Sequence, residues 1–157
     1  MFDHFWRQIM EQLEHNTEYK KFFEDTPIAF IRTSIATGEI LMANSYAAKM
    51  LGYDSKEKLI ENCNVNDLYA HKEDRKKLIQ QLMNKENHKY EVKFALPNGS
   101  VIWAEAHLHI NCGGSCIEGS LIDITDQKNQ EQQVCKQGLQ QLSDLRKKID
   151  QALRATA

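Results

Sequence analysis

The part of the sequence that decides the fold is residues 89–124, which read KYEVKFALPNGSVIWAEAHLHINCGGSCIEGSLIDI. Polar and apolar residues alternate along it, as in strands of an antiparallel sheet with one face covered. Pro97-Asn98-Gly99 and Gly113-Gly114 interrupt the alternation with residues that favour turns. We therefore predict three consecutive strands, over residues 89–96, 101–110 and 117–124.

The middle strand has two different faces. One face is wholly apolar and consists of Ile102, Ala104, Ala106, Leu108 and Ile110. The other carries Val101, Trp103, Glu105, His107 and His109. We expect the apolar face to point into the domain, which places Trp103 on the outer face, where an indole needs a cover.

Two more strands and several short helices are predicted before this segment. Residues 28–32 and 39–43 read as a hairpin around Thr37-Gly38. Asn44 is a suitable N-cap for the helix that follows, and Gly52 suits the left-handed position that ends it. Short helices are predicted from Ser55 and over residues 72–84. Two strands, several helices and three strands make an α+β fold.

Each end of the chain is predicted to be a helix. Phe2, Phe5, Trp6, Ile9 and Leu13 recur at spacings of three and four, which is typical of an amphipathic helix. The stretch 125–157 has a heptad-like seam. The seam residues are Cys135, Gly138, Leu142, Leu145, Ile149 and Ala152. A short coiled coil and a helix folded back on its own domain both fit this seam. The predicted domains are an N-terminal helix (1–18), a central domain (19–126) and a C-terminal helix (127–157).

Composition excludes several classes of protein. Twenty Lys and Arg against 22 Asp and Glu give a net charge of −2, so a nucleic-acid partner is not expected. No apolar run approaches the roughly 18 residues that span a bilayer. The first ten residues lack the pattern of a secretory signal, and four cysteines in 157 residues are too few for a disulfide scaffold. We expect a soluble cytoplasmic protein with no membrane partner.

Motifs spread along the chain resemble those of the PAS domain family. They are Phe22-Phe23-Glu24-Asp25-Thr26-Pro27, Gly38-Glu39-Ile40, Ala47-Ala48-Lys49-Met50-Leu51-Gly52-Tyr53, the stretch 67–75, Asn98-Gly99 before Trp103, and Asp123-Ile124-Thr125. The resemblance implies a five-stranded antiparallel sheet with helices on one face and a C-terminal signalling helix. It also implies a sensory and dimerisation module of a bacterial signalling protein, placed before a histidine kinase or diguanylate cyclase output domain. The signal would pass from the core through Asp123, Ile124 and Thr125 to the C-terminal helix.

A ligand pocket is expected between the sheet and the helices. Small residues on the inward strand face leave room opposite helical side chains. The expected lining is Phe30, Tyr46, Met50, Leu68, Leu82, Phe94, Ala104, Ala106 and Leu121. The alternative is a fully packed core, since Met and Phe fill gaps well.

No haem or flavin is expected, although an unidentified small ligand remains compatible with the sequence. Flavin-binding relatives carry an Asn-Cys pair like Asn62-Cys63, but the residues that follow differ here and Leu121 stands where they have Gln. Haem-binding relatives place a His on the long helix, which has none here. His71, just before that helix, is the first candidate for a haem ligand.

No metal site and no catalytic set are predicted. His107, His109, Cys112 and Cys116 could hold zinc, but a spacing of four between the cysteines fits no common zinc site. The two cysteines could also pair across the turn. We expect instead that Cys63, Cys112, Cys116 and Cys135 are all reduced. Because phosphate-binding and hydrolase motifs are absent, the chain is not expected to be an enzyme.

Two apolar stripes predict a parallel homodimer. A monomer could bury the N-terminal stripe over Trp103 but would leave the C-terminal seam in water. The predicted interface consists of Phe2, Phe5, Trp6, Ile9, Trp103, Leu142, Leu145 and Ile149. The competing class of protein is a ligand-free PAS domain that acts only as a structural interaction module.

Overall fold

The computed structural model describes residues 17–84 and 89–155. The elements in chain order are α1 (Thr17–Asp25), β1 (Ala29–Ser34), β2 (Ile40–Ala43), α2 (Ser45–Met50), α3 (Lys56–Asn62), α4 (Val65–Leu68), α5 (Lys72–Met83), β3 (Lys89–Ala95), β4 (Val101–Asn111), β5 (Cys116–Asp123) and α6 (Thr125–Ala155). The predicted α+β class and the order of strands and helices are confirmed. The predicted N-terminal stripe of Phe2, Phe5, Trp6 and Ile9 lies outside the described residues.

The five strands form one antiparallel sheet in the order β2-β1-β5-β4-β3. β5 is central, because it pairs with β4 on one side and with β1 on the other. Ala106 lies opposite Leu121, and Gly119 lies between Ile31 of β1 and Leu108 of β4. The sheet therefore joins the first and last strands of the domain at its centre.

The alternation in β4 divides the sheet into two faces as predicted. Ile102, Ala104, Ala106 and Leu108 are buried, whereas Trp103 and Glu105 are only half-buried. The core on this face also takes in α2 to α5 through Ala47, Leu51, Leu59, Leu68 and Leu78. Burying such apolar side chains contributes about 1.5–3 kcal/mol for each large one, before the cost of ordering the chain.

Local capping fixes where the short helices begin. The Asn44 side chain accepts from the amide of Ala47 at the start of α2, and the Ser55 hydroxyl accepts from the amide of Lys58 at the start of α3. Gly52 has a φ of +82°, which residues with a Cβ rarely adopt, and it follows the end of α2. These positions are the ones the sequence predicted.

Two helices differ from the prediction. α1 crosses the predicted boundary between residues 18 and 19, and Pro27, which lacks a backbone N–H, follows its end. α4 is a single turn capped by Asn64, whose side chain accepts from the Asn66 amide at 3.0 Å. A four-residue helix is too short to show an apolar period, so the sequence did not reveal it.

The described residues divide into two compact units, which meet in the chain between Asp123 and Ile124. The second unit is the 31-residue helix α6. Along α6 the large apolar side chains are more than half exposed, and they are Val134, Leu139, Leu142, Leu145, Ile149 and Leu153. Within residues 17–84 and 89–155, no helix is long and apolar enough to cross a membrane.

Candidate functional site

A small apolar cavity lies in the first unit between the sheet and the helices. Its volume is about 20 Å³, which is room for about one water molecule. We call it the interior cavity, and it is lined by Ile31, Thr33, Leu51, Val65, Leu68, Tyr69, Arg75, Phe94, Leu108, Ile117 and Leu121. A ligand of several heavy atoms would enter only if these side chains moved apart.

The polar side of the interior cavity is formed by Arg75, a buried residue in the first turn of α5. Its guanidinium donates to the carbonyl oxygen of Ser34 at 2.9 Å and to the Thr33 hydroxyl at 3.5 Å. This holds the start of α5 against the end of β1. Burial raises the pKa of Tyr69, even though the Arg75 charge acts in the opposite direction, so Tyr69 stays a neutral phenol. A small ligand in this cavity would meet the Arg75 cation and the hydroxyl-bearing side chains of Thr33 and Tyr69 among apolar walls.

Only part of the predicted pocket lines the interior cavity. Leu68, Phe94 and Leu121 line it. Ala104, Ala106 and Leu82 are buried in the packed core, and Tyr46 and Met50 pack against the edge of that core. These five do not belong to the cavity lining.

The prediction that Phe30 lines the pocket is wrong. In β1 the buried positions are Ala29, Ile31 and Thr33, so Phe30 points to the outer face of the sheet. Its ring stacks on Phe23 with 5.8 Å between centroids. Phe30 is therefore part of the contact between α1 and β1 and not of a pocket.

A polar groove of about 250 Å³ lies near the end of α3. It is lined by Tyr53, Asn62, Cys63, Asn64, Asp67, Leu68, Ala95, Leu96 and Pro97. Burial raises the pKa of the Cys63 thiol, and burial together with the hydrogen bond to Cys63 raises the pKa of Tyr53 to about 12. Cys63 is therefore a protonated, buried thiol and a weak nucleophile.

The expectation that no haem or flavin is bound stays a prediction. The structure shows where the three residues relevant to it lie. Cys63 lines the polar groove, and Leu121 presents an apolar side chain to the interior cavity. His71 is exposed at the N-cap of α5. The structure does not bring these three residues together around one cavity.

The outer face of the sheet carries two carboxylates with several donors each. The Glu118 carboxylate accepts hydrogen bonds from Arg32, at 2.6 Å, and from Asn111. It also lies 3.1 Å from His109 Nε2. Glu105 pairs with Lys89 at 2.7 Å and with His107 at 2.8 Å. The two histidines thus face different carboxylates, and no group of three possible metal ligands is found among the described residues. The Lys93 ammonium lies 5.6 Å from the centroid of the Trp103 ring.

Glu118 provides a prediction of pH dependence. Burial raises its pKa, but the hydrogen bonds from Asn111 and Arg32 outweigh burial and hold the pKa below the ordinary 4.5. Such a group stabilises the folded state above its unfolded pKa, and this stabilisation is lost as the pH falls through the folded pKa. We expect Glu118→Gln to lower the free energy of unfolding by about 1–2 kcal/mol at pH 7. Urea unfolding at several pH values down to 3 should show the difference shrinking.

The matched control is Glu61→Gln, which removes an exposed carboxylate from α3. It should change the free energy of unfolding by no more than about 0.5 kcal/mol. If the effect of Glu118→Gln were as large at pH 3 as at pH 7, the charge of Glu118 would not be the source of the stabilisation.

The predicted redox state of the cysteines also differs from the structure. Cys112 and Cys116 are joined by a disulfide, with their Cα atoms 5.5 Å apart. The tight turn between β4 and β5 brings the two residues to the separation usual for a disulfide. The prediction of four reduced cysteines is therefore wrong for this pair, whereas Cys63 and Cys135 are free thiols.

The sequence profile described as a PAS domain matches residues 27–126, which span all five strands and the helices between them. The chain belongs to the PAS domain family. PAS domains are in general sensory or interaction modules and not catalytic ones. No curated protein matches this chain significantly.

Solved PAS structures share this fold. The PAS domain of an HTR-like protein from Haloarcula marismortui is 22% identical with a TM-score of 0.57, over 75% of this chain and 98% of that one. A PAS domain from a two-component sensor histidine kinase is 13% identical with a TM-score of 0.57, over 72% and 98%. A domain of a sensory box sensor histidine kinase/response regulator from Geobacter sulfurreducens is 20% identical with a TM-score of 0.55, over 69% and 94%. The TM-scores establish a likeness in fold to PAS domains of sensor histidine kinases.

The predicted signal relay lies where the PAS domain ends. Asp123 is the last residue of β5 and pairs with Ala104 of β4, and Thr125 is the first residue of α6. The carbonyl of Ile124, between them, accepts from the Lys128 amide at 2.9 Å and so starts α6. Asp123 and Thr125 therefore occupy the covalent link between sheet and helix, and their role in signalling stays a prediction.

Proposed function

We propose that this PAS domain is a cytosolic sensory and dimerisation module of a bacterial signal-transduction protein of the histidine kinase or diguanylate cyclase type. Two copies of the chain would pair in parallel through α6, and the signal would travel from the core through Asp123, Ile124 and Thr125 into that helix. Similarity to PAS domains of sensor histidine kinases supports the signalling role.

The observation that carries the proposal is the apolar seam of α6. Leu142, Leu145 and Ile149 recur at spacings of three and four, and each is more than half exposed. Spacings of this kind place the three side chains on one stripe of the helix, as in a coiled coil. A second copy of the same helix would cover the stripe.

The proposed pairing can be tested with Leu142→Glu and Leu145→Glu made together. Each buried leucine contributes about 1.5–3 kcal/mol, and the change removes four leucines from a symmetric dimer. We expect the dimer dissociation constant to rise at least about a thousandfold, so that light scattering reports monomer at micromolar concentration. Circular dichroism should show that the PAS domain remains folded.

The control adds the same two negative charges elsewhere on α6, with Gln133→Glu and Ser143→Glu. Both residues are exposed and lie outside the predicted seam. This variant should remain a dimer. A monomeric wild-type protein, or a seam variant with the mass of a dimer, would show that α6 does not pair the chains. The companion variant Phe5→Glu with Trp6→Glu would test the N-terminal part of the predicted interface, which lies outside the described residues.

The size of the interior cavity favours a second candidate, the ligand-free PAS domain that only pairs chains. Room for about one water molecule supports a packed core more than a small-molecule pocket. Native mass spectrometry of freshly purified protein separates the two candidates. A small molecule retained over several preparations would support ligand sensing, and its absence from all of them would support the interaction module.

A further inference from the structure

The turn between β4 and β5 is built around two cysteines. Cys112 follows the last residue of β4, and Cys116 is the first residue of β5. Their disulfide closes the tip of the hairpin next to the register pair Asn111 and Cys116. The disulfide thus crosslinks the ends of the two longest strands of the sheet.

The backbone of the turn is strained at Cys112. Its φ is +54°, and it is the one described residue other than glycine with a positive φ. Residues with a Cβ rarely adopt this left-handed conformation. Gly113 and Gly114, which follow, also have positive φ values. Once the sulfur–sulfur bond is broken, the crosslink no longer holds Cys112 in this conformation.

Hydrogen bonds connect the turn to the rest of the domain. The carbonyl of Ser115 accepts from the amide of Ile35 at 2.9 Å, which ties the turn to the end of β1. Cys116 pairs with Ser34, and the Ser34 carbonyl accepts from Arg75 at the interior cavity. The end of β1 therefore contacts both the turn and the wall of the interior cavity.

The two sulfurs differ in exposure and surroundings. Cys112 is half-buried, whereas Cys116 is only 5% exposed. The Ser115 hydroxyl lies 3.7 Å from Cys116 Sγ and also donates to the Cys112 carbonyl at 2.8 Å. An incoming thiolate therefore reaches Cys112 first. The Ser115 hydroxyl can donate its one proton to the leaving Cys116 only after it turns away from the Cys112 carbonyl.

We propose that Cys112 and Cys116 are a reversible redox pair that exchanges with small-molecule thiols such as glutathione and switches the β4–β5 turn between a locked and a relaxed state. The proposal rests on the cytosolic location given under the proposed function, because disulfides in reducing compartments are mostly transient and redox-sensing. It does not depend on the pairing of chains through α6.

Reduction of the disulfide takes two thiol–disulfide exchange steps. A glutathione thiolate attacks Cys112 Sγ, the bond between Cys112 Sγ and Cys116 Sγ breaks, and Cys116 leaves as a thiolate. A second glutathione thiolate attacks the glutathione sulfur of this mixed disulfide and releases Cys112. The products are glutathione disulfide and two protein thiols, which take up the protons of the two glutathione molecules. Oxidation is the reverse, with glutathione disulfide as the oxidant.

The first experiment equilibrates the purified protein in glutathione buffers whose thiol-to-disulfide ratio spans about four orders of magnitude. Alkylation at low pH followed by peptide mass spectrometry then measures the free thiol at each cysteine. We expect Cys112 and Cys116 to change together from blocked to alkylated within the series. Exposed Cys135 is an internal reference, and Cys112→Ser shows the signal of Cys116 without its partner.

The second experiment measures amide hydrogen exchange in the oxidised and reduced protein. We expect the amide of Ile35, which donates to Ser115, to exchange at least about tenfold faster after reduction. The variant with Cys112→Ser and Cys116→Ser should exchange like the reduced protein under both conditions. It should keep the circular dichroism of the folded domain.

Three results would overturn the proposal. One is a pair that stays reduced in excess glutathione disulfide, and another is a pair that stays oxidised in excess glutathione. The third is reversible oxidation that leaves the exchange of Ile35 unchanged, since the pair would then not switch the turn. None of these results bears on dimerisation, so the proposed function would fail or stand separately.

Discussion

Replacing Asn44 with alanine is expected to lower the free energy of unfolding by about 3–5 kcal/mol. Asn44 is fully buried. Its Oδ1 accepts from the amides of Phe30 at 3.0 Å and Ala47 at 2.9 Å. Its Nδ2 donates to the carbonyls of Phe23 at 2.9 Å and Ile28 at 2.8 Å. Alanine would leave four backbone groups without the side-chain partner they have now.

The control for Asn44 is Ser55→Ala, which removes a helix cap whose hydrogen bonds all lie within α3 and its N-cap. The Ser55 hydroxyl accepts one hydrogen bond, from the Lys58 amide at 3.2 Å. Its loss should cost about 1 kcal/mol. Urea unfolding followed by circular dichroism measures both variants. Equal losses would mean that Asn44 acts only as a cap and does not join α1, β1 and α2.

The cap was predictable from the sequence, whereas the other partners of Asn44 were not. An Asn directly before an apolar helical pattern is a local signal, because the capped amide lies three residues away. The carbonyls of Phe23 and Ile28 lie 21 and 16 residues away along the chain, and only the packing of α1 against β1 brings them to Asn44. Sequence patterns report such local relations and miss the long-range ones.

The strands β4 and β1 differ in how well the sequence predicted their inward faces. The eleven residues of β4 alternate clearly, so its inward face was predicted correctly. β1 has six residues, and its first three, Ala29, Phe30 and Ile31, are all apolar. Because no polar residue marks a face there, the alternation does not indicate which of these three residues points inward. The predicted side of the sheet for Phe30 is therefore wrong.

The sequence predicted a cavity between the sheet and the helices, but of the residues that line it only Leu68, Phe94 and Leu121. No apolar spacing in the sequence marks Arg75, yet it is buried and donates hydrogen bonds to Ser34 and Thr33. Whether a gap remains beside Leu121 depends on how side chains from β1, α5 and β5 fill the space, which no spacing in the sequence records. The same holds for Cys112 and Cys116, whose spacing fits both a free pair and a disulfide.

A consistent picture of the domain follows from these contacts. β5 pairs with β1 and β4 over most of its length, begins at the disulfide and ends at Asp123, where α6 follows. The proposed redox pair and the proposed relay thus lie at opposite ends of the same central strand. Coupling between these two ends through β5 would require the pairing of β5 with β1 and β4 to stay intact. The integrity of β5 is therefore the condition on which both proposals depend.

Gly119→Ala should test this condition, with an expected loss of about 3 kcal/mol in the free energy of unfolding. Gly119 lies in the middle of β5, opposite Ile31 on one side and Leu108 on the other. A Cβ at this position would lie 1.9 Å from the carbonyl oxygen of His107, a backbone atom that cannot rotate away. The alanine variant can form only if β4 and β5 separate locally, which breaks ladder hydrogen bonds at the centre of the sheet.

The matched control is the same substitution at Gly138, a half-buried seam position of α6, where an added Cβ meets nothing within 4 Å in the single chain. Alanine is the better helix former by about 0.5–1 kcal/mol, so Gly138→Ala should leave the sheet unchanged and raise the helical signal in circular dichroism. Urea unfolding of the two variants should therefore give effects of opposite sign or very different size. Suppose that the free energy of unfolding of Gly119→Ala differs from that of the wild type by less than about 0.5 kcal/mol. β4 and β5 would then have to be further apart than the register of Leu108 and Gly119 allows. The central position of β5, and with it the path from the turn to α6, would then be wrong.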